Sequence, residues 1–272
     1  PPGRGVSAGR PGTVRASLFA TCLGDRFFAR GAADAVRLLR SLDVQVDVPA
    51  AQTCCGQPAW NAGHMEPARA MARHTARVFA GDGYVVLPSG SCTAMVRRFY
   101  PALLGGGAGG GRAAFDGSEP SLAPRVWELA EFVVDVLGVT DLGRGLEGRT
   151  LAYHHGCHAL RELGQRAGPL ELLRRAGADV VEWEAAEECC GFGGLFAVKN
   201  APVSVAMADR KLDTLPPVEA VVSADGGCLL HLEGRARRRG LEVRFRPLAS
   251  LLWEARGEAR ETAAPGVVRG RA

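Results

Sequence analysis

The residues of this chain best suited to chemistry are its eight cysteines, which follow a pattern. Two pairs are adjacent and followed by glycine, Cys54-Cys55-Gly56 and Cys189-Cys190-Gly191. Neighbouring thiols are a poor way to build a core. They can both reach one polynuclear metal centre, and a following glycine lets backbone pass close to it. A lone cysteine precedes each pair (Cys22, Cys157) and another follows it (Cys92, Cys228). Cys22 and Cys157, Cys54 and Cys189, and Cys55 and Cys190 are each separated by 135 residues, and Cys92 and Cys228 by 136. The flanks repeat as well: Val85-Val86-Leu87-Pro88-Ser89-Gly90-Ser91 aligns with Val221-Val222-Ser223-Ala224-Asp225-Gly226-Gly227. A constant offset that uses every cysteine means two homologous halves, each of roughly 120 to 130 residues.

Soft thiolates select zinc, copper(I) or iron–sulfur clusters. Structural zinc is normally held by tight C-x2-C pairs, which neither half contains. Vicinal cysteines suit a larger cluster with several irons to reach. Zinc and a vicinal thiol–disulfide couple are the alternatives. His154, His155 and His158 surround Cys157 and are expected to hydrogen-bond or pack at a strand end rather than to ligate. Lys199 either offsets cluster charge or is a solvated helix residue, and Asp25, His64, His74 and His231 carry no motif.

The elements that must position these cysteines alternate between short apolar strands and amphipathic helices. Strands are expected at Val14 to Thr21, Val44 to Val48 and Tyr84 to Leu87, each leading into a cysteine-bearing loop. Helices are expected at Arg26 to Leu42, Glu66 to Phe79 and from Thr93. A helix over Arg125 to Leu137 is expected to join the halves. Then the order recurs, with strands at Thr150 to His154, Asp179 to Trp183, Ala220 to Ser223 and Val243 to Arg246. The second-half helices lie around Pro169 to Arg175, Pro202 to Leu215, Leu229 to Arg239 and Pro247 to Glu254. Such alternation implies parallel strands with helical crossovers. The expected fold is α/β: two tandem homologous Rossmann-like parallel-sheet half-domains related by pseudo-two-fold symmetry. The expected division is a disordered tail at 1–13, a first cysteine-rich domain at 14–124 and a linker helix at 125–149. A second cysteine-rich domain follows at 150–255, then a disordered tail at 256–272. Every cysteine then lies at or just after the carboxyl end of a strand, where open α/β sheets place ligands.

Composition narrows the function. The 272 residues are 47% hydrophobic, ordinary for a globular protein. No apolar run is long enough to span a bilayer and no signal peptide is visible, so a cytoplasmic protein with reduced thiols is expected. The net charge of +4 comes from arginines in the two tails, and aromatic residues are only 6%. Nucleic-acid binding is therefore not expected. The glycine-rich run within 104–124 (Gly105 to Gly111) lacks a following Gly-Lys-Ser/Thr and reads as a surface loop or linker rather than a phosphate cradle. Neither half carries G-x-G-x-x-G after its first strand, so no flavin or nicotinamide site is expected.

The arrangement of a lone Cys, then Cys-Cys-Gly, then a Cys closing a four-residue turn resembles the cysteine-rich (CCG) domain family. That family includes the B subunit of heterodisulfide reductase and the iron–sulfur subunit of glycolate oxidase. Thr53-Cys54-Cys55-Gly56-Gln57-Pro58, Pro88-Ser89-Gly90-Ser91-Cys92, Tyr153-His154-His155-Gly156-Cys157-His158, Glu187-Glu188-Cys189-Cys190-Gly191-Phe192-Gly193-Gly194 and Asp225-Gly226-Gly227-Cys228 more particularly resemble the lactate-utilisation protein A family. The likeness runs over residues 14 to 254. It implies an iron–sulfur electron-transfer subunit of an L-lactate-oxidising complex, working with other subunits that include a second iron–sulfur protein. It also implies the eight cysteines as metal ligands. Ser89 and Asp225 stand where the wider family carries a further cysteine, leaving four thiolates per half. That count admits a four-thiolate [4Fe–4S] cluster, one or two per chain, with Ser89 and Asp225 as oxygen contacts to the cofactor, and equally a degenerate empty site. A cluster-dependent thiol–disulfide reductase and a non-enzymatic zinc- or iron-binding scaffold are the competing functions.

Overall fold

The computed structural model describes residues 14–105 and 121–257; both expected tails, apart from Arg256 and Gly257, and most of the glycine-rich run lie outside them. The first half opens with β1 (Arg15–Leu18), a short helix α1 (Cys22–Phe27) that starts on the first cysteine, and α2 (Ala29–Ser41). β2 (Gln45–Asp47), α3 (Gln57–Asn61), α4 (Met65–Val78) and β3 (Tyr84–Leu87) follow. A continuous helical run comprises α5 (Gly90–Ala94), a π-helical stretch at Met95–Phe99 and α6 (Tyr100–Leu104). β4 (Val126–Glu128) leads into α7 (Leu129–Glu131), prolonged by a second π-helical stretch at Phe132–Val136. The second half contains β5 (Thr150–Tyr153), α8 (Cys157–Glu162), α9 (Ala167–Arg175), β6 (Asp179–Val181), α10 (Phe196–Lys199) and α11 (Ala201–Asp213). It ends with β7 (Ala220–Ser223), α12 (Gly226–Arg238), β8 (Arg244–Pro247) and α13 (Leu248–Ala255).

Each half is a four-stranded, wholly parallel sheet, ordered β2-β1-β3-β4 and β6-β5-β7-β8. The paired expectation of two tandem parallel-sheet halves holds. One element differs. The run from Arg125 to Leu137, read as a joining helix, begins as β4, with Val126 opposite Val85 on β3. Val126 packs into the first half's own core while Trp127 faces the core shared with the second half, an alternation that a helix cannot supply. The helix starts only after Glu128, whose side chain accepts the N–H groups of Ala130 (2.7 Å) and Glu131 (3.2 Å) while Glu131 reaches back to the Glu128 N–H.

Strand alternation also builds the layers. Ala16, Leu18 and Val86 of the first sheet, and Leu151, Tyr153, Ala220 and Val222 of the second, face one common core. Val85 and Leu87 turn outward to a second apolar cluster, and Ala152 and Val221 to a third. The halves are packed by reciprocal pairs of helices: α5 against α8 and α1 against α12, α13 against α2 and α7 against α9. Each partner in these pairs is the repeat equivalent of another, as a pseudo-two-fold axis requires. Gly31 on α2 lets Pro247 come within 3.1 Å of where a Cβ would stand, and Ser250 on α13 donates to buried Asp34 at 2.8 Å. No helix among the described residues is long and apolar enough to cross a membrane.

Candidate metal centre

The cysteines are delivered by three loops per half, all at the carboxyl ends of β-strands. Cys22 opens α1 and Cys157 opens α8; Cys92 lies in the first turn of α5 and Cys228 in that of α12. Helix N-termini there point N–H groups and positive dipole ends toward thiolates. The Cys-Cys-Gly loops follow β2 and β6. Gly56 (φ 85°) and Gly191 (φ 86°) both adopt the left-handed conformation. A Cβ at Gly56 would stand 3.2 Å from the Ala68 carbonyl oxygen, and one at Gly191 only 2.6 Å from that of Ser204. The glycine therefore serves both the turn and the close approach of the following helix. Thr21, non-glycine at φ 67°, turns the chain into Cys22 and caps α1 by accepting the Gly24 N–H at 3.3 Å.

Within each half the four sulfurs converge. Cys22 and Cys54 lie 3.6 Å apart and Cys55 and Cys92 3.2 Å apart. In the second half Cys190 and Cys228 are 2.9 Å apart, and Cys157 pairs with Cys189 as Cys22 does with Cys54. No cysteine is in a disulfide. Backbone N–H groups turn toward sulfur: Gly56 to Cys54 at 3.4 Å, Gly191 to Cys189 at 3.5 Å and Phe192 to Cys190 at 3.4 Å. Hydrogen bonds from Cys22 and Cys55 hold the Cys54 thiol down at about 3, and those from Cys157 and Cys190 hold Cys189 at about 2. The donors are pushed up in turn, Cys22 and Cys55 by bonding to Cys54 and Cys157 and Cys190 by bonding to Cys189, with burial adding to each. One thiol of each set is thus readily ionised while the two thiols bonded to it keep their protons, so loading a metal must release those protons.

All eight cysteines line one cavity of about 220 Å³ between the halves. Its walls include Phe28, Phe192 and a run of glycines, and its one acidic residue is Asp225. Both expected oxygen contacts line it too, and both have partners in the protein. Ser89 caps α5, its hydroxyl 3.4 Å from the Cys92 N–H. Asp225, 3% exposed, accepts the Ser91 N–H of the other half at 2.7 Å and the Ser89 hydroxyl at 3.4 Å. A Cβ at Gly156 would fall 1.8 Å from its carboxylate. Asp225 therefore ties the first half's last cysteine turn to the second half.

The donor set fits an iron–sulfur cofactor: two groups of four convergent thiols, backbone N–H groups on sulfur, and largely apolar walls. The histidines around Cys157 divide. His154 is fully buried, and neither ring nitrogen has a protein partner. It lies in a group with Cys190 and Cys228 whose ligand atoms are all within 4.8 Å of one another. Burial, with Lys211 nearby, keeps its ring neutral, near 3. His155 stacks edge-on against Tyr153 and His158 against Phe99. Lys199 ends α10, where its side chain is exposed, which settles its position as a surface one.

Near this centre stand Lys211, which no sequence pattern marks, and His231, which carries no motif in the sequence. Lys211 is fully buried, with its ammonium 4.3 Å from the Trp183 ring centroid and donating to the Ala185 carbonyl. Burial lowers it to about 8. His231 contacts the Ser204 hydroxyl at 3.1 Å, and that hydroxyl in turn donates to the Gly191 carbonyl at 2.7 Å. Helical spacing alone makes Lys211 look like a solvated residue; comparison of the two repeats position by position was the available signal.

The cysteine-rich CCG domain model matches the chain twice, at residues 16–97 and 151–233. The chain is 42% identical over 242 residues to lactate utilization protein A of Geobacillus kaustophilus (strain HTA426), covering 88% of this chain and 98% of that one. Lactate utilization protein A of Geobacillus sp. (strain WCH70) is 39% identical over 88% of this chain and 99% of its own length. The protein of the same name from Oceanobacillus iheyensis is 40% identical, over 88% and 96% respectively.

Proposed function

The chain belongs to the lactate utilization protein A family, with two cysteine-rich CCG domains in one polypeptide, and from that premise we propose that it is the iron–sulfur electron-transfer subunit of a system that oxidises L-lactate. The observation that carries this reading is the convergence of two four-thiol sets on one cavity. Bound there, a [4Fe–4S]-type cluster supplies one-electron acceptor and donor chemistry. The chain's own residues do the rest. Cys22, Cys54, Cys55 and Cys92 hold one centre and Cys157, Cys189, Cys190 and Cys228 the other. The N–H groups of Gly56, Gly191 and Phe192 stabilise thiolate charge, and Phe28 and Phe192 keep water from the sulfurs. Ser89 and Asp225 are assigned as oxygen contacts from the two equivalent turns. Substrate oxidation falls to partner subunits, among them a second iron–sulfur protein, and the reducing cytoplasm keeps the thiols available.

The test is anaerobic reconstitution followed by iron, sulfide and zinc analysis. Cys189→Ala or Cys190→Ala is expected to remove about half of the iron and the matching share of visible absorbance, since each half holds its own thiol set. Unchanged iron and sulfide in both variants would show that these thiols are not ligands, and zinc without sulfide would favour the scaffold reading. Lactate-dependent reduction in the presence of partner proteins supports the lactate assignment; oxidation by disulfides alone supports the thiol–disulfide alternative. Ser89→Cys and Asp225→Cys are each expected to change the cluster's spectrum or potential. If neither does, the two residues are confined to capping α5 and bracing the turns.

A further inference from the structure

The two thiol sets are equivalent by symmetry, but their surroundings are not. Three independent registrations fix the correspondence. The N–H of Phe19 donates to Val86 at 2.9 Å and that of His154 to Val222 at 2.8 Å, so Phe19 and His154 occupy the same place. Gly56 faces Ala68 and Met71 where Gly191 faces Ser204 and Met207, an offset of 136 that sets Lys211 against Thr75. The offset of 136 from Cys92 to Cys228 likewise sets His231 against Met95. Phe19, Thr75 and Met95 are buried and neutral. Their counterparts beside the second set are His154, Lys211 and His231, each a basic residue type.

Lys211 matters most among them. Its contacts are a ring face and a carbonyl oxygen, with no carboxylate paired to it among the described residues. The nearby Glu188 is half-buried and is held by Arg210 through two bonds, at 2.7 and 2.8 Å. A buried ammonium without a counter-ion is costly. The sulfurs of Cys190, Cys228 and Cys189 lie nearby, and in their ionised form, as metal ligation requires, they favour its charged state. The complement holds in reverse: a fixed cation in a low-dielectric site favours whichever state of a neighbouring centre carries more negative charge. For an iron–sulfur centre that is the reduced state. His154, whose ring nitrogens make no hydrogen bond in the protein, has a ring nitrogen within 4.8 Å of the Cys190 and Cys228 sulfurs, so its N–H is available to a centre held there.

We propose that Lys211, assisted by His154, makes the second-half centre the more easily reduced of the two, so that an electron shared between them rests on the second half. This rests on the iron–sulfur reading above. The exchange is of one electron: the first-half centre is oxidised by one as the second-half centre is reduced by one. No bond or proton changes. Lys211 acts as a positioning residue through its charge, touching neither substrate nor electron donor.

The experiment is an anaerobic redox titration with dithionite, followed by electron paramagnetic resonance, on the reconstituted full chain. Cys54→Ala and Cys189→Ala assign each signal to a half. The second-half centre is expected to have the higher potential. Lys211→Met is expected to lower it by at least tenfold in the reduction equilibrium, about 59 mV for a one-electron couple, leaving the first-half centre in place. Lys211→Arg is expected to retain it. His154→Phe, which copies the first half's residue, provides a second reading if Lys211→Met fails to fold, and is expected to shift the same centre the same way. A second-half centre of equal or lower potential in the unmutated protein overturns the proposal, as does a charge-removing variant that shifts both centres equally or neither. Iron and sulfide are measured first. If the unmutated chain takes up none, the iron–sulfur reading itself has failed, and this proposal with it.

Discussion

At the scale of single residues, the glycine after each vicinal cysteine pair is required by backbone geometry before any metal is considered. Both glycines sit at positive φ, but only Gly191 has a backbone atom, the Ser204 carbonyl oxygen, within 3 Å of a would-be Cβ. Gly56 has 3.2 Å to the equivalent oxygen. Left-handed backbone costs a non-glycine residue about 1–3 kcal/mol. Gly191→Ala is therefore expected to destabilise the reduced, metal-free chain by that amount or more, and Gly56→Ala by less. Denaturant midpoints of the two variants check the order; a larger loss for Gly56→Ala contradicts it. The cysteines and their grouping were legible because thiols announce themselves by type and spacing. Ser89 and Asp225 were placed in the right turns, but not their bonds: that Asp225 reaches across to the Ser91 N–H depends on how the halves meet, which no local pattern encodes. Lys211 was invisible for a related reason. A lysine near the end of an amphipathic helix reads as solvated, and only the packing of α11 against the Trp183 region buries it.

At the scale of elements, most strands and helices followed from apolar periodicity, and the clear miss was β4. Its three residues continue without a break into an apolar helical sequence, so period alone merges the two. The capping box formed by Glu128 and Glu131 marks the boundary. That boundary has a titratable consequence. Glu128 is 1% exposed, and burial pushes its carboxyl up to about 8 against the downward pull of the Glu131 and Ala130 N–H groups. Between its ordinary value of 4.5 and about 8, the folded chain keeps a proton that the unfolded chain releases. Stability conferred by the protonated group is full below that window and is lost as pH rises through it. Glu128→Gln keeps an acceptor for the helix N–H groups without a titrating proton. The difference in unfolding free energy between variant and parent is expected to shift in the variant's favour as pH climbs from about 4.5 to 8. A difference that is flat with pH would mean that Glu128 is ionised in the folded chain.

At the scale of the whole molecule, the sequence announced two repeats and the structure shows how little they are separable. The common core takes residues from both sheets, and helices following the last strand of each half pack on the opposite half: α13 on α2, and α7 on α9. Two-fold duplication was legible from the 135-residue offset; this crossing was not, because a repeat seen in isolation gives no reason for its last helix to leave its own sheet. The crossing places both thiol sets on one cavity, so the relative position of the two centres depends on the same contacts as the fold. Leu38 on α2 and Leu251 on α13 are both fully buried in that core. Truncating a buried leucine costs about 2–5 kcal/mol. If the halves were independent domains, Leu251→Ala would weaken only the second and split the unfolding curve in two. With a shared core, Leu251→Ala and Leu38→Ala are each expected to lower one cooperative transition by about 2–5 kcal/mol. Thermal unfolding followed at once by far-ultraviolet circular dichroism and by tryptophan fluorescence distinguishes the cases, since Trp60 packs in the first half's own cluster, Trp183 in the second's, and Trp127 and Trp253 on the shared core. Coincident curves in both variants support a single unit. Two separated transitions, with only one moved by each substitution, show that the halves fold apart and that the cavity between them is a docking of two finished domains.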